Sequence, residues 1–346
     1  MNAARLLLAD DASAAAQHAS SAFRFFDGAT VLITGGTGFV GSWLLEALVA
    51  ATDQLPVQIK AVVLTRSASR FMRERPHLAA RVTLVEGDVR NELTLPVSID
   101  AIIHAASETN VDLTSPPPSR YFDVAVRGAA SVSSAARRYG AKSVLNISSG
   151  AAYAASALAR GPVSEDVDNA PLTTDLTAAY GNAKRAAEGM LSTLADGDIR
   201  LVISRLFAFV GPYLPLRSGY AIGNFIADAL SDKPIIVCGD GSPIRTYLYA
   251  ADMAAWLWTL LAFGQANRIY NVGSEHQTSI AELANTVSSV LGGAPVAIMR
   301  RPQVGAQAAC YVPSTSRIRL ELGMRETVGL EEGVRRTARW NVEAQT

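Results

Sequence analysis

The sequence predicts an α/β protein, a doubly wound parallel sheet with a smaller C-terminal lobe. Three observations predict it. From residue 30 to about residue 206, short β-branched or aliphatic runs alternate with longer helical patterns. The first run passes directly into a glycine-dense turn and then an amphipathic helix, in VLITGGTGFVGSWLLEAL over 31–48. Beyond residue 206 the rhythm breaks into stretches punctuated by Gly and Pro, such as VGPYLPLRSG and CGDGSPIRT. Apolar runs without polar alternation have no solvent side, so they require a sheet covered on both faces.

Taken in order, residues 1–28 are alanine-rich and polar and read as a helical extension leaning on the domain. The strands are TVLITG, IKAVVLTR, RVTLVEGD, AIIHAAS, SVLNISS and IRLVISRLF, which assigns 29–205 to the first domain, with 240–275 returning to it. Residues 206–239 and 276–346, with the helical patterns SIAELANTVSSVLG and LEEGVRRTARW, form the second lobe. The 346 residues suffice for a sizeable core, with 49% apolar and 18% charged. Lys plus Arg and Asp plus Glu are 31 each, so no net field attracts nucleic acid or anionic lipid. The longest apolar run, AAWLWTLLAF from Ala254, is about half a bilayer span. The amino terminus carries no secretory pattern, and a cytoplasmic protein is expected. Cys238 and Cys310 lie in unrelated contexts, which indicates neither a disulfide framework nor a metal site.

Gly35, Gly38 and Gly41 recur at spacing three, and Gly36, Gly38 and Gly41 form G-x-G-x-x-G. After a strand and before a helix, this is a dinucleotide fingerprint. The glycines serve a tight turn, backbone approach to a pyrophosphate and close helix–strand packing. The anion would sit on the helix N-terminus, where free N–H groups point at it. The second strand ends in Thr65-Arg66, with no acidic residue for the ribose hydroxyls. An arginine there pairs with a 2′-phosphate, so NADP is favoured over NAD. Asp88 ends the third strand, within reach of an adenine amino group, and small residues in HAAS (104–107) let a cofactor lie against backbone. His104 reads as a packed strand-end residue.

Tyr180 and Lys184, in AAYGNAKRAAE, fall at i and i+4 on one helical face. A lone phenol ionises near pH 10, and a neighbouring ammonium, helped by the positive ring of a nicotinamide, brings that proton exchange into range. The serine pair of NISSGAAY, about thirty residues earlier, offers a hydroxyl for a substrate oxygen.

These motifs, with TGGTGFVG, GDVR, HAAS, SSGAAY, YGNAK, RLFAFVGP, GDGSPIRTYLYAADM, YNVGS and LEEGVRRTARW, run in order from about 30 to 340. The chain resembles the extended short-chain dehydrogenases/reductases of the NAD-dependent epimerase/dehydratase family, which modify nucleotide sugars on a Rossmann sheet. The resemblance implies a catalytic set of Ser149, Tyr180 and Lys184, with Tyr180 as acid/base and Lys184 on the nicotinamide ribose. It implies cofactor contacts at Gly35, Thr37, Gly38, Phe39, Val40, Gly41, Arg66, Asp88, Val89, Ala105, Ala106, Ser107, Lys184 and Phe207. Substrate contacts fall on Ser149, Asn224, Arg245 and Arg301, with Arg245 clamping the diphosphate of a nucleotide-diphosphate sugar. It also implies a homodimer, paired through helices near 120–138 and 178–195.

The departures narrow the reaction. Dehydratases of this family carry two acidic residues directly after the active-site hydroxyl, and decarboxylases carry one nearby. Here those places are Gly150 and Ala151, which move no proton. A 4,6-dehydratase or a decarboxylase is therefore less expected unless another segment supplies the carboxylates, and the reactions favoured need only hydride transfer with one tyrosine. That suits a 4-keto-sugar nucleotide reductase, favoured by Arg66, or a 4-epimerase with retained NAD. A non-catalytic dinucleotide sensor is disfavoured because Tyr180, Lys184 and Ser149 are all kept. Ala208 and Ala125 stand where the family has asparagines, which removes a diphosphate contact and a structural hydrogen bond.

Overall fold

A computed structural model describes residues 3–108, 117–302, 305 and 308–343. Its centre is a parallel sheet of seven strands: β1 (Thr30–Thr34), β2 (Lys60–Thr65), β3 (Thr83–Glu86), β4 (Ala101–His104), β5 (Ser143–Ser149), β6 (Arg200–Leu206) and an edge strand, Arg268–Val272. The spatial order is β3-β2-β1-β4-β5-β6-edge, and every pairing is parallel. The order reverses between β1 and β4. Chains leaving these two strands diverge to opposite faces, which opens a crevice at their carboxyl ends.

Side-chain alternation divides the sheet's apolar residues between two cores. Val31, Ile33 and Val63 face one layer, Leu32, Val62 and Leu64 the other. The second layer is the helix pair Pro118–Tyr139 and Ala179–Ser192, whose alanines Ala129, Ala136, Ala183 and Ala187 are buried in the shared cluster. The first contains α3 (Phe39–Gln54) and the helix Ala250–Phe263.

The run that reads as half a membrane span is this latter helix. It is apolar all round because it is covered all round, by the sheet on one side and by α1 (Ala3–His18) and α2 (Ser20–Phe25) on the other. Among the described residues no helix is long and apolar enough to cross a membrane. The first 28 residues do more than lean on the sheet. Ala12, Ala15, Ala16, Ala19, Ala22 and Phe23 belong to the main core, and Phe23 lies 4.9 Å from the Trp258 ring. Buried Asp11 accepts hydrogen bonds from the Tyr249 hydroxyl and from Arg336. Desolvation pushes its carboxyl above the usual range even so.

After β6 the chain builds its smaller structures. Ile235–Val237 pairs with Val296–Ile298, and Ile244–Arg245 pairs with both Thr278–Ser279 and Cys310–Tyr311. Helix Ile280–Val290 begins with a capping box, Ser279 and Glu282 bonding reciprocally to each other's backbone N–H. The last of these pairings, Tyr311 opposite Arg245, carries Tyr311 to the crevice.

Candidate active site

The glycine loop shows which of its glycines serve the fold. Gly35 has φ +70°, and a Cβ there would fall 2.6 Å from the Ala105 backbone. At Gly41 it would fall 2.4 Å from the Gly35 carbonyl, because α3 crosses the loop at that point. A Cβ on Gly36 would meet Val63 at 2.7 Å. Gly38 differs: its φ of −82° is open to any residue, and the nearest atom to a Cβ is 3.5 Å away. Nothing in the chain requires glycine there. It caps α3 without a side-chain hydrogen bond, so the first turn presents bare N–H groups beside open space. That is the cradle a pyrophosphate needs, and these residues fit a dinucleotide.

The loop opens into a cavity of about 890 Å³ running along the ends of β1, β2, β4 and β5. Gly35, Thr37, Gly38, Phe39, Val40, Gly41, Arg66, Asp88, Val89, Ala105, Ala106, Ser107, Ser149, Tyr180, Lys184, Phe207 and Arg245 all line it. At one end Thr65 is buried and its hydroxyl accepts from Ser67 N–H at 3.2 Å, while Arg66 stays exposed. Asp88 is engaged by its own loop: Arg90 donates to it at 2.7 and 3.0 Å, which holds the carboxyl at about 2.

At the other end β5 delivers Ser149, and the helix Ala179–Ser192 delivers Tyr180 and Lys184. The helix lies close to the β5 end because residue 181 is glycine, whose Cβ would sit 2.0 Å from the Ala151 carbonyl. Lys184 is buried, and its Nζ donates to the Ile147 carbonyl at 2.9 Å. Burial lowers its pKa from the ordinary 10.5 to about 8, with Glu188 opposing. Tyr180 is half-buried, and desolvation pushes its phenol upward, helped by the phenols of Tyr220 and Tyr311 and opposed by the hydroxyls of Ser149 and Ser107. The expected depression of the phenol depends on the ammonium together with a bound nicotinamide ring, and the protein alone does not supply it. Lys184 Nζ lies 5.9 Å from the Tyr180 ring and is committed to a carbonyl, so desolvation prevails. His104 is packed, as expected. It pairs with Thr34 Oγ1 at 2.8 Å, and burial pulls it down to about 3.

Two expected substrate contacts lie elsewhere. Asn224 is outside the cavity lining, and its amide donates to the Ser218 carbonyl at 2.8 Å, bracing the loop that supplies Gly219 and Tyr220. Arg301 is exposed and does not line the cavity. Arg245 does line it, with its guanidinium donating to the Ile244 carbonyl at 2.8 Å.

Sequence reasoning missed Tyr220, Tyr311 and Glu108, all of which line the cavity. Tyr311 matters most. A Cβ on Gly150 would meet its hydroxyl at 2.7 Å and the Phe207 ring at 2.8 Å. The Phe207 and Tyr311 rings, 4.7 Å apart, therefore fill the room that a side chain at position 150 would occupy. No local pattern flags a tyrosine in a two-residue strand.

Comparison with known proteins agrees with this architecture. The profile of the NAD dependent epimerase/dehydratase family matches residues 31–273. UDP-glucuronic acid decarboxylase 1 of Xenopus tropicalis is 26% identical over 311 residues, covering 89% of this chain and 70% of that protein. The dTDP-glucose 4,6-dehydratase of Streptomyces venezuelae, solved with NAD and TYD, superposes with a TM-score of 0.77 at 25% identity, over 91% of this chain and 98% of that one. The UDP-glucose 4-epimerase of Thermotoga maritima, solved with UDP-glucose, shares the fold, with a TM-score of 0.77 at 21% identity over 92% and 100%.

Proposed function

This chain belongs to the NAD dependent epimerase/dehydratase family of nucleotide-sugar-modifying enzymes, and we propose that within it the protein reduces a 4-keto-sugar nucleotide with NADPH. A bound nicotinamide dinucleotide supplies the hydride. The chain's own residues do the rest. Tyr180 gives its proton to the C4 oxygen as the ketone becomes an alcohol, Ser149 hydrogen-bonds the same oxygen, and Arg245 meets the diphosphate. Lys184 orders the nicotinamide ribose.

One observation carries the reading. The positions after Ser149 are Gly150 and Ala151, and Tyr311 with Phe207 closes the space where a carboxylate at 150 would stand. Elimination needs a base and an acid besides the phenol, whereas ketone reduction needs only a proton donor. The upward-shifted pKa of Tyr180 keeps that donor protonated at neutral pH. Arg66 at the end of β2, where a carboxylate would repel a 2′-phosphate, supports NADPH.

A second reading is a 4-epimerase retaining NAD, the dinucleotide with which the related Streptomyces venezuelae dehydratase was solved. Glu108, lining the cavity 3.2 Å from Arg120, favours the decarboxylase or dehydratase reading less strongly, because that carboxylate is already paired. The test is mass spectrometry of cofactor released from freshly purified protein, followed by assays on UDP- and dTDP-4-keto sugars. An empty site that takes up NADPH and reduces the ketone is expected. Tightly held NAD with interconversion of 4-epimers, or CO2 release from UDP-glucuronate, overturns the reductase.

A further inference from the structure

The cavity lining is more basic than the chain. Among the described residues, seven Lys and Arg and three acidic side chains line it, whereas the whole sequence balances 31 against 31. Asp88 is taken up by Arg90, and Glu108 by Arg120. Lys184 and Arg245 stand at the sugar end. What is left is a corner just after β2, where Arg66, Arg70 and Arg75 share one carboxylate, Glu74. That carboxylate is committed to Arg70, whose Nε donates to it at 2.7 Å. The first turn of α3 already meets a pyrophosphate with N–H groups, so this surplus of positive charge suits a further anion.

Arg75 is the member left short of acceptors. Its side chain is 16% exposed and lines the cavity, and its Nε is buried without a partner. Glu74, the one carboxylate within 4 Å of it among the described residues, stands 3.6 Å from Nη1. A buried guanidinium in that state is unfavourable, and an anion entering the cavity relieves it. The fold also fixes where Arg75 lies. Its guanidinium carbon sits 4.4 Å from the centroid of the Tyr213 ring. Tyr213 holds φ +70°, uncommon for a residue with a side chain, and its hydroxyl donates to Glu46 of α3 at 2.6 Å. Trp340 packs edge-on against the same ring at 5.0 Å. A planar cation stacked on a clamped ring is pre-organised, whereas Arg66 is exposed. The two arginines flank the helix Ala68–Glu74, whose seven residues span about 10 Å, a gap that two such side chains bridge between them.

We propose that Arg75, stacked on Tyr213, is a specificity-determining residue of the dinucleotide end: together with Arg66 it binds the 2′-phosphate that distinguishes NADPH from NADH. The inference rests on the NADPH reading above and adds to it a residue that no strand-end pattern marks.

Titration calorimetry on the full-length protein tests it with NADPH, NADH, adenosine 2′,5′-bisphosphate and AMP. Arg75→Met keeps an apolar stem on the Tyr213 ring and removes the charge. It weakens NADPH and the bisphosphate by about ten- to hundredfold, the loss of a charge-assisted pair, and leaves NADH and AMP within about twofold. Arg75→Lys keeps the charge without the fork and gives a smaller loss of the same selectivity. It carries the test if the Met variant does not fold. Equal losses for NADPH and NADH, which put Arg75 on the pyrophosphate or in the fold, overturn the proposal. So does unchanged affinity for all four. A wild-type protein that prefers NADPH, with that preference intact in both variants, removes this inference alone. A wild-type protein that binds NADH as tightly as NADPH removes the NADPH reading beneath it.

Discussion

The two ends of the cavity are built by different means. At the dinucleotide end, three of four glycines are explained by close neighbours: Gly35 by Ala105 just beyond β4, Gly36 by Val63 of β2, and Gly41 by Gly35 and Gly36 of the loop itself. At the sugar end, Gly150 is explained by Phe207 and by Tyr311, 161 residues away in sequence. One end is a local motif seated on the strand ends beside it. The other is a meeting of segments. The first is readable as a pattern of letters, and the second exists only after the later part of the chain has folded back.

The largest expected effect tests the sugar end. Tyr180→Phe lowers the hydride-transfer rate by about 10²- to 10⁴-fold, the range of a lost general acid, with dinucleotide affinity unchanged. Single-turnover absorbance at the reduced nicotinamide band measures the rate and calorimetry the affinity. Equal losses in both would merge the two ends into one unit.

The dinucleotide end is tested by a pair of variants. Gly41→Ala forces a Cβ against backbone at 2.4 Å and destabilises the fold by about 3 kcal/mol. Gly38→Ala, with 3.5 Å of room, keeps stability within about 0.5 kcal/mol. It weakens dinucleotide binding at least about tenfold, roughly 1.4 kcal/mol, because the methyl group enters the cradle. Denaturant melts and titration calorimetry separate the two outcomes. If Gly38→Ala binds normally, the open space above that glycine is not the pyrophosphate site.

Gly150→Ala is the counterpart at the sugar end, costing about 1–3 kcal/mol through overpacking against Phe207 and Tyr311. Tyr311→Phe recovers part of that cost by removing the 2.7 Å contact. Additive melts for the double variant would show that the two residues are not in contact.

A pH effect reports the buried ammonium between the ends. Lys184 falls from 10.5 to about 8 on folding, so between these values the unfolded chain binds more protons than the native one. Stability therefore rises as pH climbs from about 8 towards 10.5, and Lys184→Met flattens that rise. Chemical denaturation across this window measures it. An unchanged slope in the variant argues against an ammonium desolvated on folding.

The smallest effects lie outside the cavity. Arg301→Ala leaves substrate KM unaltered, whereas Asn224→Ala loses a brace on the Ser218–Tyr220 loop and raises KM a few-fold, about 1 kcal/mol. Steady-state kinetics distinguish the two, and a rise for Arg301→Ala would return that residue to the site.

Legibility followed distance along the chain. The strands and the glycine turn were readable because strand and helix periods are local properties, and Tyr180 with Lys184 because one helical turn separates them. Arg245 lines the cavity, whereas Asn224 lies outside it and bonds the Ser218 carbonyl, since a motif does not say which carbonyl an amide will find. The side-chain direction of Lys184 was not legible for a related reason. An i, i+4 spacing sets where the ammonium starts, but the Ile147 carbonyl decides where it points.

The sequence by itself determined the alternation of strand and helix, the turn that holds a dinucleotide and the types of group available for proton transfer. Each of these depends on neighbours within a few residues or one helical turn. The tertiary structure alone decided that Tyr311 stands over Gly150, that the Ala250–Phe263 helix is covered by the N-terminal helices, and that burial pushes the Tyr180 phenol upward. These are outcomes of burial and of contact between remote segments, and burial is a property of the folded whole.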